Sequence, residues 1–489
     1  MRFSWPRLAI STITKSNMGS HAAPPFDVKK VAIVGAGPAG LAAAKYLRAR
    51  SCFETITIFE QQDRVGGVWY YSQDPPSNLD VPQTTPFVGP EKPLPPRKAG
   101  EAPVFPSPMY ERLHANIPKS LMNYGDQKFR SDAWVYPSRE HIFEYLEKYA
   151  DEVRHLIRFR TQVQSIKLRQ VHGVDKWDIR AVSTVEGNGE VHEETYDAVV
   201  VANGHYSTPF IPAVPGLEAF HAAHPGVVTH SKNYRRPEAF AGQRVVVVGN
   251  GPSGLDLARQ INGAGAAKVF LSVHSATPAD RLAHTGATEL GEIVEFLPGP
   301  GRGIRMVDGK LEEAIDAVVY CTGFLFSYPF LEGLDRQLLT TTRGRGLRGL
   351  WEHLFLIDHP TLAFPALLMK AVPFPVAEAQ AAAAAAVWAN ELPLPPVEEM
   401  RAWEERLHEE RGEALHTFPG HGGDGVYINQ MHDWVLKKAA TPGKTPPYWN
   451  AELRWQRSIF AEAKLAFEKQ GGTARTLEEL GFVYPGDDA

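Results

Sequence analysis

The sequence predicts an α/β protein made of two parallel-sheet units, the second inserted into the first. Three observations predict this class. A short apolar strand, a glycine-rich turn and a helical run follow one another from Val31, and the same triplet recurs from Arg244. Beyond Thr322-Gly323 the chain resumes with segments suited to completing the first unit. The composition is that of an ordinary globular chain, 489 residues with 43% hydrophobic and 22% charged, enough for two large domains or three average ones.

The same arithmetic excludes several classes. A net charge of −5 offers no basic field for a nucleic-acid backbone. No run of about 18 uninterrupted apolar residues is present, so no spanning anchor is expected. The two cysteines, Cys52 and Cys321, support neither a disulfide framework nor a multi-thiolate metal site. Residues 1–27 carry Arg2, Arg7 and Lys15, no acid before Asp27, and many hydroxyl side chains. They are expected to be a disordered leader, with organellar targeting as the alternative, and the expected compartment is the cytoplasm.

In the first unit, the strand at Val31–Val34 runs into Gly35-Ala36-Gly37-Pro38-Ala39-Gly40, then a helix from Leu41 to Arg50. Gly35 makes the tight turn, Gly37 lets backbone approach a pyrophosphate, and Gly40 lets the helix pack on the strand. The helix N-terminus offers free N–H groups to the anion. A second strand, Thr55 to Phe59, ends at Glu60, where an acid would hold the ribose hydroxyls. The second unit repeats this with the strand Arg244 to Val248, the turn Gly249-Asn250-Gly251-Pro252-Ser253-Gly254, and a helix from Leu255 to Ile261 closed by Gly263. Its next strand, Lys268 to Ser272, leads to Val273-His274 and carries no acid, which tilts this turn toward a 2′-phosphate and hence NADP. The positive partner would come from His274, Arg281, Arg235 or Arg236. Two such cradles without a redox cysteine pair imply hydride passing between nicotinamide and flavin. FAD is expected in the first and NADPH in the second.

At this point the residues resemble the flavin-containing monooxygenases, in particular the soluble fungal-type, dimethylaniline monooxygenase-like branch. Gly66-Gly67-Val68-Trp69 follows Glu60 as in that family. The run from His224 to Tyr234 is similar to their fingerprint, with His224 in place of Phe. The stretch Asp316 to Phe324 is similar to their second crossing, with Cys321 in place of Ala. Leu113 to Met122 is similar to the segment bearing their active-site Asn, and Pro360 to Phe364 and Pro373 to Gln380 continue the likeness in order. The resemblance implies two Rossmann-like dinucleotide-binding domains, with residues 28–208 and 325–489 forming the FAD domain and its helical cap, and residues 209–324 the inserted NADPH domain.

The candidate cofactor contacts are then the two glycine turns with Glu60, Gly67, Val68, Trp69, Asn116, Ile117, Val163, Asp256, Ser272, His274, Thr322, Gly323 and Gln380. Asn116 is the one candidate catalytic residue, a neutral amide able to donate and accept beside the flavin and nicotinamide. No metal is expected. The resemblance implies that NADPH reduces FAD, that O₂ adds at flavin C4a, and that the hydroperoxide passes one oxygen to a soft nitrogen or sulfur nucleophile of a small molecule. Alternatives are a Baeyer–Villiger ketone oxygenase, a flavin disulfide reductase (which needs the cysteine pair this chain lacks) and a non-catalytic dinucleotide-binding regulator. A homodimer is a further alternative to a single chain.

The remaining elements follow from local pattern. Pro82 to Pro108 is proline-dense and reads as an extended surface loop, with a roof over the substrate entrance as its functional alternative. Ser138 opens a helix with Ile142, Leu146 and Tyr149 on its core face. Strands are expected at Ile157 to Leu168, Trp177 to Val182 and Asp197 to Ala202. Gln380 with the six alanines after it marks a strong helix starting at Pro375. Lys119 reads as a solvated charge, His230 and Tyr234 as links between the units, and the tail with Trp434, Trp449 and Trp455 as covering helices.

Overall fold

The computed structural model describes residues 26–76, 79–95, 98, 102–185, 187, 189–418, 420, 422–438 and 443–486. All but the last two residues of the expected leader lie outside them. Two sheets organise the rest, the second wholly parallel and the first mixed, with Phe355–Leu356 running antiparallel to both its neighbours. The first has seven strands, in the order Leu350–Trp351, Phe355–Leu356, Leu362–Ala363, Ala198–Val201, Lys30–Val34, Thr55–Phe59 and Ile157–Arg158. The second has five, Thr288–Leu290, Lys268–Ser272, Arg244–Val248, Ala317–Tyr320 and Val228–His230, all parallel to their neighbours. Every strand of the second sheet comes from chain lying between Ala198–Val201 and Leu350–Trp351 of the first.

Beyond their first residues, Lys30 and Arg244, both central strands are apolar because both faces are covered. Val31 and Ile33 point into a core shared with the helix Pro38–Arg48 and the alanine-rich helix Pro373–Trp388. Ala32 and Val34 point into a second core with Trp177 and Ile179 of a four-stranded mixed sheet. In the second sheet Val246 faces one core while Val245 and Val247 face the other. The period of two thus allots successive residues to opposite layers. The two chain crossings run side by side, with Phe324–Leu325 antiparallel to Thr208–Pro209 and the Phe210 N–H donating to the Gly323 carbonyl at 2.9 Å.

Three of the four predicted cradle strands have the expected bounds and the fourth starts one residue earlier, at Lys30, while Ser138 caps Arg139–Tyr149 with Ile142, Leu146 and Tyr149 buried. Other elements differ from expectation. Gly263 is the last residue of the helix Pro252–Gly263 rather than its stop, and the chain turns at Gly265 with φ +85°. The strand expected from Ile157 breaks at Arg160, φ +53°, into Ile157–Arg158 and Thr161–Val171, which join different sheets. A strand at Val191–Tyr196 escaped notice because its polar alternation carries few apolar markers. The alanine-rich helix begins at Pro373, since prolines at both 373 and 375 fall in the first turn, where no N–H is needed. Its start is held by Asp424, which accepts the Val372 N–H at 3.0 Å and pairs with Arg457 at 2.8 Å, both buried.

The proline-dense insert is pinned rather than free on the surface. Gln83 and Ile211 exchange backbone hydrogen bonds at 3.0 and 2.9 Å, and Glu91 pairs with the buried Lys232 at 2.6 Å. Residues 96, 97 and 99–101 of it lie outside the described set.

Among the described residues, His353 and His416 form a buried pair, Nδ1 to Nδ1 at 3.0 Å. The Leu347 N–H donates to His416 Nε2, so His416 carries its proton on Nδ1 and gives it to His353. Burial, with Arg411 nearby, pulls both imidazoles down, His416 to about 3. Both are therefore neutral when folded and take up protons only when unfolded. Their contribution is intact above pH 6.5, the ordinary imidazole value, and is lost as pH falls from there toward 3. Urea unfolding should show stability dropping by about 1.4 kcal/mol per pH unit per histidine across that window. His416→Gln, which can still accept and donate, should flatten the profile; an identical slope in the variant would disprove this account.

Candidate functional site

The first glycine turn closes on itself. Gly35 N–H donates to Phe59 O at 2.8 Å, and a Cβ at Gly40 would stand 1.9 Å from Gly35 O. No side chain caps the helix Pro38–Arg48 and no acid lies in its first turn, so its leading N–H groups remain for an anion. Gly67 lies across the turn, 3.5 Å from where a Gly37 Cβ would be, and Gly66 N–H binds Ala36 O at 3.0 Å. Any side chain at either position would fill the cradle. Glu60 sits beneath, its carboxylate accepting the Ala36 N–H at 2.7 Å and the Gln62 N–H at 2.8 Å. Burial raises its pKa while those backbone donors pull it down. Val68 and Trp69 stand half-buried at the rim, and Val163 is buried in the strand whose first residue, Thr161, binds Glu60 O at 2.8 Å.

The second turn has the same construction. Gly249 N–H donates to Ser272 O at 2.9 Å, and a Cβ at Gly254 would stand 1.8 Å from Gly249 O. The helix Pro252–Gly263 again lacks a capping side chain and a first-turn acid, and Gly251, Pro252 and Ser253 are exposed. Both turns therefore fit a dinucleotide pyrophosphate. His274 is exposed just past the neighbouring strand, with Glu292 3.0 Å away. Arg235, one of the four positive candidates, is committed elsewhere: its guanidinium is buried and donates to the carbonyls of Lys232, Tyr234 and Asp74. Arg236 is exposed.

Other predicted contacts turn inward. Ser272 Oγ donates to Gly291 O at 2.9 Å. Gln380 is fully buried, accepting the Ala366 N–H at 2.7 Å and donating to Tyr427 Oη at 2.9 Å, so its carboxamide is occupied by protein. Thr322 Oγ1 donates to Phe210 O, and Gly323 O accepts from His230 Nε2 at 3.1 Å. The Lys232 N–H fills His230 Nδ1 at 3.0 Å, and burial pulls this imidazole down to about 3, so it stays neutral.

Asn116 is exposed, with Ile117 half-buried beside it. Its segment is strung between the cradles. Upstream, Tyr110 Oη donates to Asp256, on the helix that opens the second turn; downstream, Tyr124 Oη donates to Pro38 O, at the first turn, at 2.9 Å. Between them Ala115 N–H binds Pro137 O at 2.8 Å and Lys119 N–H binds Val135 O at 2.7 Å. Asp256 is thus a tether, also held by Arg259 at 2.7 Å and Gln260 at 3.0 Å. Lys119 is not a solvated charge: its ammonium donates to the carbonyls of Ser131 and Ala133 at 3.2 and 2.5 Å. Tyr110 and Tyr124 were missed, since nothing local in the sequence separates a tethering tyrosine from a packing one.

Comparison with known proteins places the chain. It matches the flavin-binding monooxygenase-like family over residues 102–286 and 302–444, and an NAD(P)-binding Rossmann-like domain over residues 33–91. It is 31% identical over 402 residues to flavin-containing monooxygenase FMO GS-OX4 of Arabidopsis thaliana, covering 77% of each chain. It is 31% identical over 385 residues to the thiol-specific monooxygenase of Saccharomyces cerevisiae, covering 75% of this chain and 79% of that one. The solved structure of S-allyl-L-cysteine S-oxygenase from Allium sativum superposes with a TM-score of 0.73 at 26% identity, covering 92% of this chain and 96% of that one. No described helix is long and apolar enough to cross a membrane. With two fitting cradles and likeness of this extent, the chain belongs to the flavin-containing monooxygenase family and is a flavin-dependent monooxygenase that uses FAD, NADPH and O₂.

Proposed function

We propose that the first glycine turn, with Glu60 on the ribose and Gly67, Val68 and Trp69 over the pyrophosphate, holds FAD, that the second holds NADPH, and that Asn116 is the residue at which the two ligands meet substrate. When bound, FAD supplies the electron transfer and O₂ activation. This chain's own residues orient the two ligands, keep the reacting edge dry and present one neutral amide. The observation that carries this reading is the segment strung between the cradles, tied to one by Tyr124 and to the other by Tyr110. Residues 28–208 with 325–489 then form the FAD domain and 209–324 the NADPH domain, in line with the strand content of the two sheets.

The acceptor we propose is a soft nitrogen or sulfur nucleophile of a small molecule, with sulfur favoured because two of the relatives are named for thiol and S-oxygenation. We further propose a cytoplasmic enzyme that works as a single chain, with a homodimer as the alternative. Purified, FAD-loaded protein should consume NADPH and O₂ and convert a thiol or thioether to its oxygenated product. Lactone or ester formation from a ketone panel, with sulfides and amines untouched, would replace this reading with a Baeyer–Villiger one.

The surroundings of His274 support a further expectation. Glu292, 3.0 Å from His274 and largely exposed, places a negative charge where a 2′-phosphate would approach. Glu292→Gln should lower KM for NADPH about two- to fivefold at low salt and leave KM for NADH unchanged. Equal shifts for both nucleotides would show that neither residue faces the 2′ position.

A further inference from the structure

The carbonyl just before Asn116 is held by a residue far away in sequence. That carbonyl, Ala115 O, accepts from Lys464 Nζ at 3.0 Å across 349 residues of chain. The N–H groups of Ala115 and Lys119 are held by backbone carbonyls, whereas the Ala115 carbonyl is held by a charged side chain on the tail helix Ala451–Lys469. The Lys464 side chain is only 13% exposed, with its ammonium over the rings of Tyr136 and Phe467 at 5.1 and 5.3 Å. Burying an ammonium costs free energy unless it is paired and fully hydrogen-bonded. Its pair is Glu468, at 3.5 Å.

Glu468 reaches further. Its other oxygen takes His284 Nε2 at 3.1 Å and Arg259 Nε at 3.8 Å. Arg259 pairs with Asp256 at 2.7 Å, and Asp256 accepts from Tyr110. A ring of charges therefore leaves the segment at Ala115, crosses the tail helix, passes through the helix that opens the second cradle, and returns to the segment at Tyr110. A covering helix would need none of these groups. The same carbonyl on an open surface would be satisfied by water.

We infer that Lys464 is a positioning residue for Asn116, and that Glu468 locks it to the helix of the second cradle, so that the tail helix sets where the amide stands relative to the nicotinamide ligand. This rests on the proposed role of Asn116. The closing experiment separates the two.

Amide hydrogen exchange of residues 113–119 is followed by mass spectrometry in FAD-loaded protein, alongside oxygenated product per NADPH consumed. Lys464→Met should speed exchange of this segment about tenfold, the loss of one charge-assisted hydrogen bond, with the strands Lys30–Val34 and Arg244–Val248 unchanged. It should also lower product per NADPH, Lys464→Arg should restore much of both, and adding Lys464→Met to Asn116→Ala should cause no further fall in product. Unchanged exchange overturns the inference, as does a full additive loss in the double variant, which would mark a general structural role. Should Lys464→Met not retain FAD, Glu468→Gln decides instead: it leaves the lysine in place, and exchange as slow as in the parent overturns the inference. If Asn116→Ala alone leaves product intact while Lys464→Met still loosens the segment, the reading of Asn116 has failed and the anchor stands.

Discussion

Asn116→Ala is expected to retain its flavin and to lose about a hundredfold in oxygenated product, the scale for removing one preorganised donor from a reacting centre. The fold should not notice. Asn116 is exposed, and the backbone on either side is held by Pro137, Val135 and Lys464 rather than by its own amide. An exposed truncation of this kind changes stability by about 0.5 kcal/mol or less. NADPH consumption should continue, with its electrons appearing as hydrogen peroxide in place of product. The measurement is product and peroxide per NADPH at equal flavin content. A variant that still couples every NADPH to product would remove Asn116 from the site.

Gly254→Ala is expected to abolish reduction by NADPH while leaving FAD in place. The added Cβ would meet Gly249 O at 1.8 Å and Gly249 C at 2.9 Å, and both belong to the backbone of the turn itself. No flexible side chain can give way, so turn and helix must part by more than about 1 Å, a misplacement that costs about 10²-fold in a reaction depending on alignment. The loss should be confined to one half of the chemistry, because the first turn belongs to a separate sheet with its own cores. Chemically reduced variant should therefore still react with O₂, whereas NADPH should no longer bleach the flavin. Gly40→Ala should do the converse, since its Cβ would stand 1.9 Å from Gly35 O, and yield protein without bound flavin. Normal NADPH reduction in Gly254→Ala would refute the assignment of the second turn.

The cradles were legible because each is a local device. Strand, turn, helix and the following strand lie within about thirty residues. Gly40 and Gly254 face carbonyls only five residues back, so their necessity is written in the spacing. The proposed site between the cradles was legible only in part. Asn116 emerged through likeness to a family, but its tethers, Tyr110 and Tyr124, look like any other aromatic residues until Asp256 and Pro38 are seen opposite them. Gln380 shows the reverse: placed among the candidate contacts by its motif, it is wholly engaged by Ala366 and Tyr427. Asp256 and Ser272 likewise turn to protein partners rather than outward.

The sequence by itself determined the two nucleotide turns, the order of the units, and the class of chemistry they support, because these depend on contacts between residues close in the chain. Only the tertiary structure decided which polar groups face the cleft and which are absorbed by the fold. The direction of a buried side chain is set by partners that can lie hundreds of residues away, as Lys464 lies from Ala115. The demand that every buried donor and acceptor be satisfied is a property of the assembled interior, which no local spacing records.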